Sequence, residues 1–280
     1  MKIQLFRNSL FFLTIFILLF ACKKKETTPP PPIVDSDISA ASDNAFVETC
    51  YNDIDKIANE AYLGSLSYYK TLSNCATIKR DTANHADLDT IIIDFGGTNC
   101  ICADGRARQG KIIVAYTGKY TDSVSVDTIT FNNYYVNNNR IDGIKVVNNR
   151  GYNGSPYLSW DITVNGIVQL ANNGGTITWT SVRNRQMVAG DSTLTLTDDV
   201  YYITGTSTGT STNGVSYAVN IINPLVDSTL SLACSKYFTK GTLNFIPTGK
   251  LTRTVDFGNG KCDSLATVSI AGISYPLTLK

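Results

Sequence analysis

Thiols and carboxylates are the reactive side chains this chain carries in number, and their spacing limits the chemistry open to them. Cys22 stands alone near the N-terminus, and six more cysteines follow at 50, 75, 100, 102, 234 and 262. Asp94-Phe95-Gly96 is followed by Cys100 and Asp256-Phe257-Gly258 by Cys262, each Cys six places after its Asp. Cys75 and Cys234 lie upstream by similar distances, so the echo predicts disulfides Cys75–Cys100 and Cys234–Cys262 and leaves Cys50 for Cys102. Cys100-x-Cys102 is a poor zinc signature, because structural zinc prefers C-x-x-C pairs or nearby histidines. The only histidine is His85, in a loop between Asp81 and Asp89. No metal or other cofactor is expected.

The remaining catalytic inventory is thin. A Ser-His or Cys-His nucleophile system would have to use His85, and no G-x-S-x-G elbow is present. Asp-Phe-Gly also spells a kinase magnesium motif, but no glycine-rich nucleotide loop or catalytic-loop motif accompanies it, and both copies sit where a strand meets a turn. Glu26, Glu48 and Glu60 are the only glutamates and fall outside the strands, so a glycosidase-like hydrolase would need a pair of Asp from the sheet. That is the alternative reading. A non-catalytic β domain with an envelope, adhesive or ligand-binding role is the leading one: Tyr134, Tyr135, Tyr152, Tyr157, Tyr201 and Tyr202, or Trp179 with Arg183 and Arg185 on its strand face, offer surfaces on which a carbohydrate stacks. Adjacent tyrosines point to opposite faces, so half of them belong to the core.

The N-terminus gives the address. The apolar run Leu10 to Ala21 is 12 residues and follows Lys2 and Arg7; a membrane-crossing helix needs about 20. The layout is that of a secretory signal peptide over 1–21. Leu19-Phe20-Ala21-Cys22 resembles the lipobox, in which the Cys accepts diacylglycerol, although Phe20 departs from the usual small residue. Acyl chains on Cys22 would hold the chain at a membrane. Lys23 is not the Asp that marks inner-membrane retention, so the expected location is the outer membrane, with either leaflet open. Residues 22–38 then form a lipidated stalk whose Pro-rich part favours extended polyproline II. An exported chain meets an oxidising compartment, where disulfides persist.

Loss of Lys2 and Arg7 with the leader takes the 24 basic residues to 22, against 23 acidic. Such a balance supplies no field to recruit nucleic acid. The expected partners are the membrane, through lipid, and a carbohydrate or an envelope protein.

From Ser39 to Leu63, Phe46, Cys50, Ile54, Ile57, Ala58 and Ala61 recur at helical steps, and Gly64 supplies a stop. The other face carries Asp43, Glu48, Asp53, Asp55 and Glu60 and reads as a solvated face. Beyond Thr90 the period becomes two, with turn pairs Asn-Gly at 153, 165, 173, 213 and 259 and Asp-Gly at 104 and 142. The fold expected over 39–280 is mainly β: about a dozen antiparallel strands, as a sandwich or a strongly curved meander, with one amphipathic helix.

The lipobox, "DNAFVETCYNDIDKIANEA", "IIIDFGGTNCICADGRARQGKIIVAYTGKY", "ITFNNYYVNNNRIDG" and "RTVDFGNGKCDSLATVSIAGISYPLTL" together resemble an uncharacterised family of Bacteroidota-type outer-membrane lipoproteins. The likeness covers nearly the whole mature chain and lies in its Cys and Gly framework. It implies no substrate, activity or cofactor.

Overall fold

The computed structural model describes residues 35–280 apart from 64–74, 82–87, 119–123, 153 and 194. The expected signal peptide, Cys22, most of the expected stalk and His85 lie outside the described residues.

Helix α1 spans Ser39–Leu63, with the bounds its apolar spacing predicts. Its first turn is held by Asp37, whose Oδ1 accepts from the Ser39 N–H and hydroxyl. Its last carbonyls, of Ala61 and Tyr62, accept from Arg80 of the first strand, which closes the helix end as a basic side chain can.

The strands are β1 (Thr77–Asp81), β2 (Asp89–Asp94), β3 (Cys100–Ile101), β4 (Ala107–Tyr116), β5 (Val126–Val136), β6 (Asn139–Gly151) and β7 (Leu158–Gln169). They continue as β8 (Thr176–Ala189), β9 (Val200–Thr210), β10 (Ser216–Ser228), β11 (Lys240–Pro247), β12 (Arg253–Asn259), β13 (Leu265–Ile270) and β14 (Ile273–Thr278). All belong to one 14-stranded antiparallel sheet in which each strand pairs with the next along the chain, save that β2 pairs β4 and the short β3 sits beside β4. Of the two expected forms, the meander is the one found. Alternation along each strand sets one face inward: Ile112, Val114 and Tyr116 of β4, Trp160, Ile162 and Val164 of β7, and Val255 and Phe257 of β12 are buried.

Two turn pairs are not turns. Asp142-Gly143 and Asn165-Gly166 lie inside β6 and β7, where Gly143 pairs with Gly166. A Cβ on Gly143 would stand 2.2 Å from the Asn165 carbonyl oxygen, and one on Gly166 would stand 2.3 Å from the Tyr51 hydroxyl. Gly143 is needed for the close approach of the paired β7 backbone, and Gly166 because the helix reaches into the sheet. Tyr51 donates its hydroxyl to the Asp142 carbonyl at 2.5 Å and accepts from the Ile167 N–H at 3.0 Å. The C-terminal hairpin, in contrast, has the tight turn its register requires: Ile270 faces Ile273 across Ala271 and Gly272, both at positive φ.

The sequence echo is structural. In both Asp-Phe-Gly blocks the Asp Oδ1 accepts from the Gly N–H, at 2.9 Å for Asp94 and 2.8 Å for Asp256. In both the Phe is buried and the Gly adopts positive φ. Disulfides join Cys75 to Cys100 and Cys234 to Cys262. The expected third bridge is corrected: Cys50 and Cys102 are free, buried thiols. Among the described residues no helix is long and apolar enough to cross a membrane.

Candidate functional site

The acidic side of α1 is not solvated. Glu48, Asp53, Asp55 and Glu60 are all buried, and cations at inward positions of the sheet side meet the first three. These charges form two groups that differ in composition.

The first is built on Asp53. Its Oδ1 accepts from Arg106 Nη1 and its Oδ2 from Arg108 Nη2, both at 2.7 Å. Arg108 forks onto Asp104 as well, at 2.8 and 2.7 Å, and Asp104 also accepts from the Arg106 N–H. Arg106 and Arg108 share the inward face by period two, and Asp104 is brought round by the Cys102–Arg106 turn. Burial alone would raise the Asp53 carboxyl, but the two guanidiniums outweigh it and hold the group below its ordinary value. Two carboxylates face two guanidiniums, so the group is neutral as it stands.

The second is built on Asp55. Lys145 of β6 reaches Asp55 Oδ2 at 2.7 Å, and Arg185 of β8 bridges Asp55 at 3.4 Å and Asp227 at 3.3 Å. Lys56 pairs with Asp227 at 2.6 Å and donates to the Ser235 carbonyl. Two further carboxyls lie close by. Asp127 is buried with no cation partner among the described residues, and burial, aided by the Asp55 charge, pushes it up to about 7. Asp199 is raised to about 6 by burial, against a hydrogen bond from the Tyr201 hydroxyl at 2.7 Å. Four carboxyls, Asp55, Asp127, Asp199 and Asp227, thus face three cations, Lys56, Lys145 and Arg185. Beside them Arg183 pairs with Glu48 at 2.7 Å, and a space of about 30 Å³, of the size that holds buried water, adjoins Glu48 Oε2, Asp55 Oδ1, Ser181 Oγ and Arg183 Nη1.

This second group reaches the surface through adjoining cavities. A space among Lys56, Arg185, Tyr201 and Thr229 shares Asn59, Leu196 and Asp199 with a larger cavity of about 160 Å³. The larger one is a mouth between the last turns of α1 and the connections β6–β7 and β8–β9. Its floor is apolar, with Leu158, Met187 and Leu196 buried. Its rim carries Tyr152, Asp191 and Thr193, which are exposed, and Tyr152 donates to Asp191 at 3.3 Å. Gly190 lets the rim approach Asp199: a Cβ there would stand 2.2 Å from Asp199 Oδ1. Asn59 is 9 % exposed, borders both cavities and bonds through its amide to no described residue. An apolar cavity with a few convergent polar groups and a displaced carboxyl is the form a small-molecule site takes.

The residues proposed from sequence distribute unevenly. Tyr134 and Tyr201 are core, while Tyr152, Tyr157 and Tyr202 are exposed, so the split between adjacent tyrosines holds. Trp179, Arg183 and Arg185 do share a strand face, but it is the inner one, and they make no stacking surface. Trp179 donates to Asn44 at 3.2 Å and lies under Arg183. Cys50, far from pairing with Cys102, is a thiol that burial pushes up to about 12, and burial also raises Cys102. No cluster of metal-ligating residues occurs among the described residues. Comparison of the chain with protein families, with characterised proteins and with solved structures finds no match.

Proposed function

We propose that this chain is an outer-membrane lipoprotein of the uncharacterised Bacteroidota type, anchored by lipid on Cys22, whose β domain binds a small ligand at the mouth without transforming it. The observation that carries the binding role is the mouth itself, where Asn59, Asp191 and Asp199 converge over an apolar floor of Leu158, Met187 and Leu196. The large interior carboxylates give no support to catalysis, because Asp53, Asp55, Asp104 and Asp227 are each held by Lys or Arg.

The anchor is tested by a Cys22→Ser variant. It should leave the membrane fraction and fail to incorporate labelled fatty acid; retention in membranes would reject the anchor. The site is tested by a small-molecule binding screen on the wild type and on Asn59→Leu, which fills the cavity. Hits that survive in Asn59→Leu unchanged would place the ligand elsewhere.

One observation favours the hydrolase reading. Asp199, raised by burial, and the exposed Asp191 flank the same mouth, and two carboxyls in contrasting environments are the arrangement that divides acid and base roles. Envelope glycan hydrolysis lost in both Asp191→Asn and Asp199→Asn would establish it, and its absence in the wild type would leave binding alone.

A further inference from the structure

We propose that the ligand of the mouth carries a cationic amine head on a short apolar body. This rests on the mouth being the binding site and adds what it selects. The charged side chains that line the cavity are Asp191 and Asp199, and neither Lys nor Arg is among them. The cations of the adjoining inner space, Lys56 and Arg185, are engaged with Asp227 and, for Arg185, with Asp55 as well. An ammonium has three donors and no acceptor. The wall answers with carboxylate oxygens and with the amide oxygen of Asn59, which no described residue occupies. An anionic head would meet two like charges. A neutral alcohol would leave most of that acceptor surface unanswered.

The floor sets the body. Leu158, Met187 and Leu196 are buried beneath the rim, and about 160 Å³ corresponds to roughly five waters. A chain of about five carbons fits that space. Asp199 faces Arg185, Asp198, Asp227 and Tyr201, with Lys56 and Glu60 of the helix lining the same inner space, and burial keeps it partly protonated near pH 6. A cation beside it favours the ionised form, so binding at low pH requires that proton to leave.

The test uses the purified full mature chain and three probes of one shape: n-pentylammonium, n-pentanol and pentanoate, followed by calorimetry and by amide chemical-shift changes. Pentylammonium should bind, pentanol about tenfold more weakly and pentanoate not at all. Affinity for the amine should fall about tenfold from pH 7.5 to pH 5. Asp191→Asn and Asp199→Asn should each weaken it about tenfold. Should Asp199→Asn fail to fold, Asp191→Asn, on the exposed rim, still decides. Pentanol binding as tightly as pentylammonium, or amine binding unchanged in the Asp191 variant, overturns the amine preference. If pentanol binding is also lost in Asn59→Leu, the mouth remains the site and only its selectivity was misread; no binding by any probe rejects both.

Discussion

Asp53 and Asp55 are two residues apart on one helix, yet the charges gathered around them are composed differently. Around Asp53, two carboxylates meet two guanidiniums in forked contacts, and charge is balanced without any proton to spare. Around Asp55, four carboxyls share three cations, Asp127 and Asp199 form no ion pair among the described residues, and the group opens toward the surface by way of Asp199. In a low-dielectric interior an extra charge is costly, so the second group favours holding a proton that the first has no use for. The comparison separates a fixed fastening from a region able to answer pH and ligands.

The largest expected effect breaks the first group. Arg108→Met leaves two buried carboxylates with Arg106 as their one guanidinium and should cost about 3–5 kcal/mol in denaturant unfolding. Adding Asp104→Asn should recover part of that loss. A cost under about 1 kcal/mol would mean that the group is not a tight unit.

The two disulfides sharpen the contrast, because each holds a segment serving one group. Cys100 precedes the Cys102–Arg106 turn, and Cys234 precedes Ser235, whose carbonyl accepts from Lys56. The two segments also touch, through Arg106 and the Lys236 carbonyl at 2.8 Å. The bridged cysteines are 25 and 28 residues apart, so replacing either pair by Ser should cost a similar amount, about 3–4 kcal/mol each by loop-closure entropy. Strongly unequal losses would show that one bridge carries more than its loop.

The smallest effect has the most specific sign. Asp127→Asn should stabilise the protein at pH 8, by on the order of 2 kcal/mol, and change little at pH 4. Asp53→Asn should destabilise at neutral pH, and the difference should shrink as pH falls below the ordinary carboxylate range.

Much of this architecture is legible in the residues. The helical spacing of Phe46 to Ala61 locates α1, period-two alternation locates the strands, and the repeated Asp-Phe-Gly blocks predict both disulfides. The acidic helix face was misread as solvated because spacing on a helix cannot distinguish water from opposing cations. A signal was present on the partner strands: Arg106 and Arg108, and Arg183 and Arg185, are two apart and in step with inward residues such as Ile112 and Trp179. Cations in that register are either errors of burial or partners for buried acids. Asp142-Gly143 and Asn165-Gly166 read as turn pairs, whereas Gly166 is dictated by a distant Tyr51 and Gly143 by close approach of the paired β7 backbone at positive φ. The mouth was not legible, since Asn59, Leu158, Asp191 and Asp199 meet only through tertiary packing.

Unfolding free energy measured by urea titration from pH 5 to pH 8 tests the difference between the two groups most directly. Asp127 and Asp199 have folded values above their unfolded ones, so the stability each gains from its proton is complete below the ordinary carboxylate range and is lost as pH rises through about 6 and 7. The account predicts that stability falls across this window in the wild type and that Asp127→Asn removes most of the fall. Stability that stays level or rises from pH 5 to pH 8, or a fall that Asp127→Asn leaves intact, would contradict it.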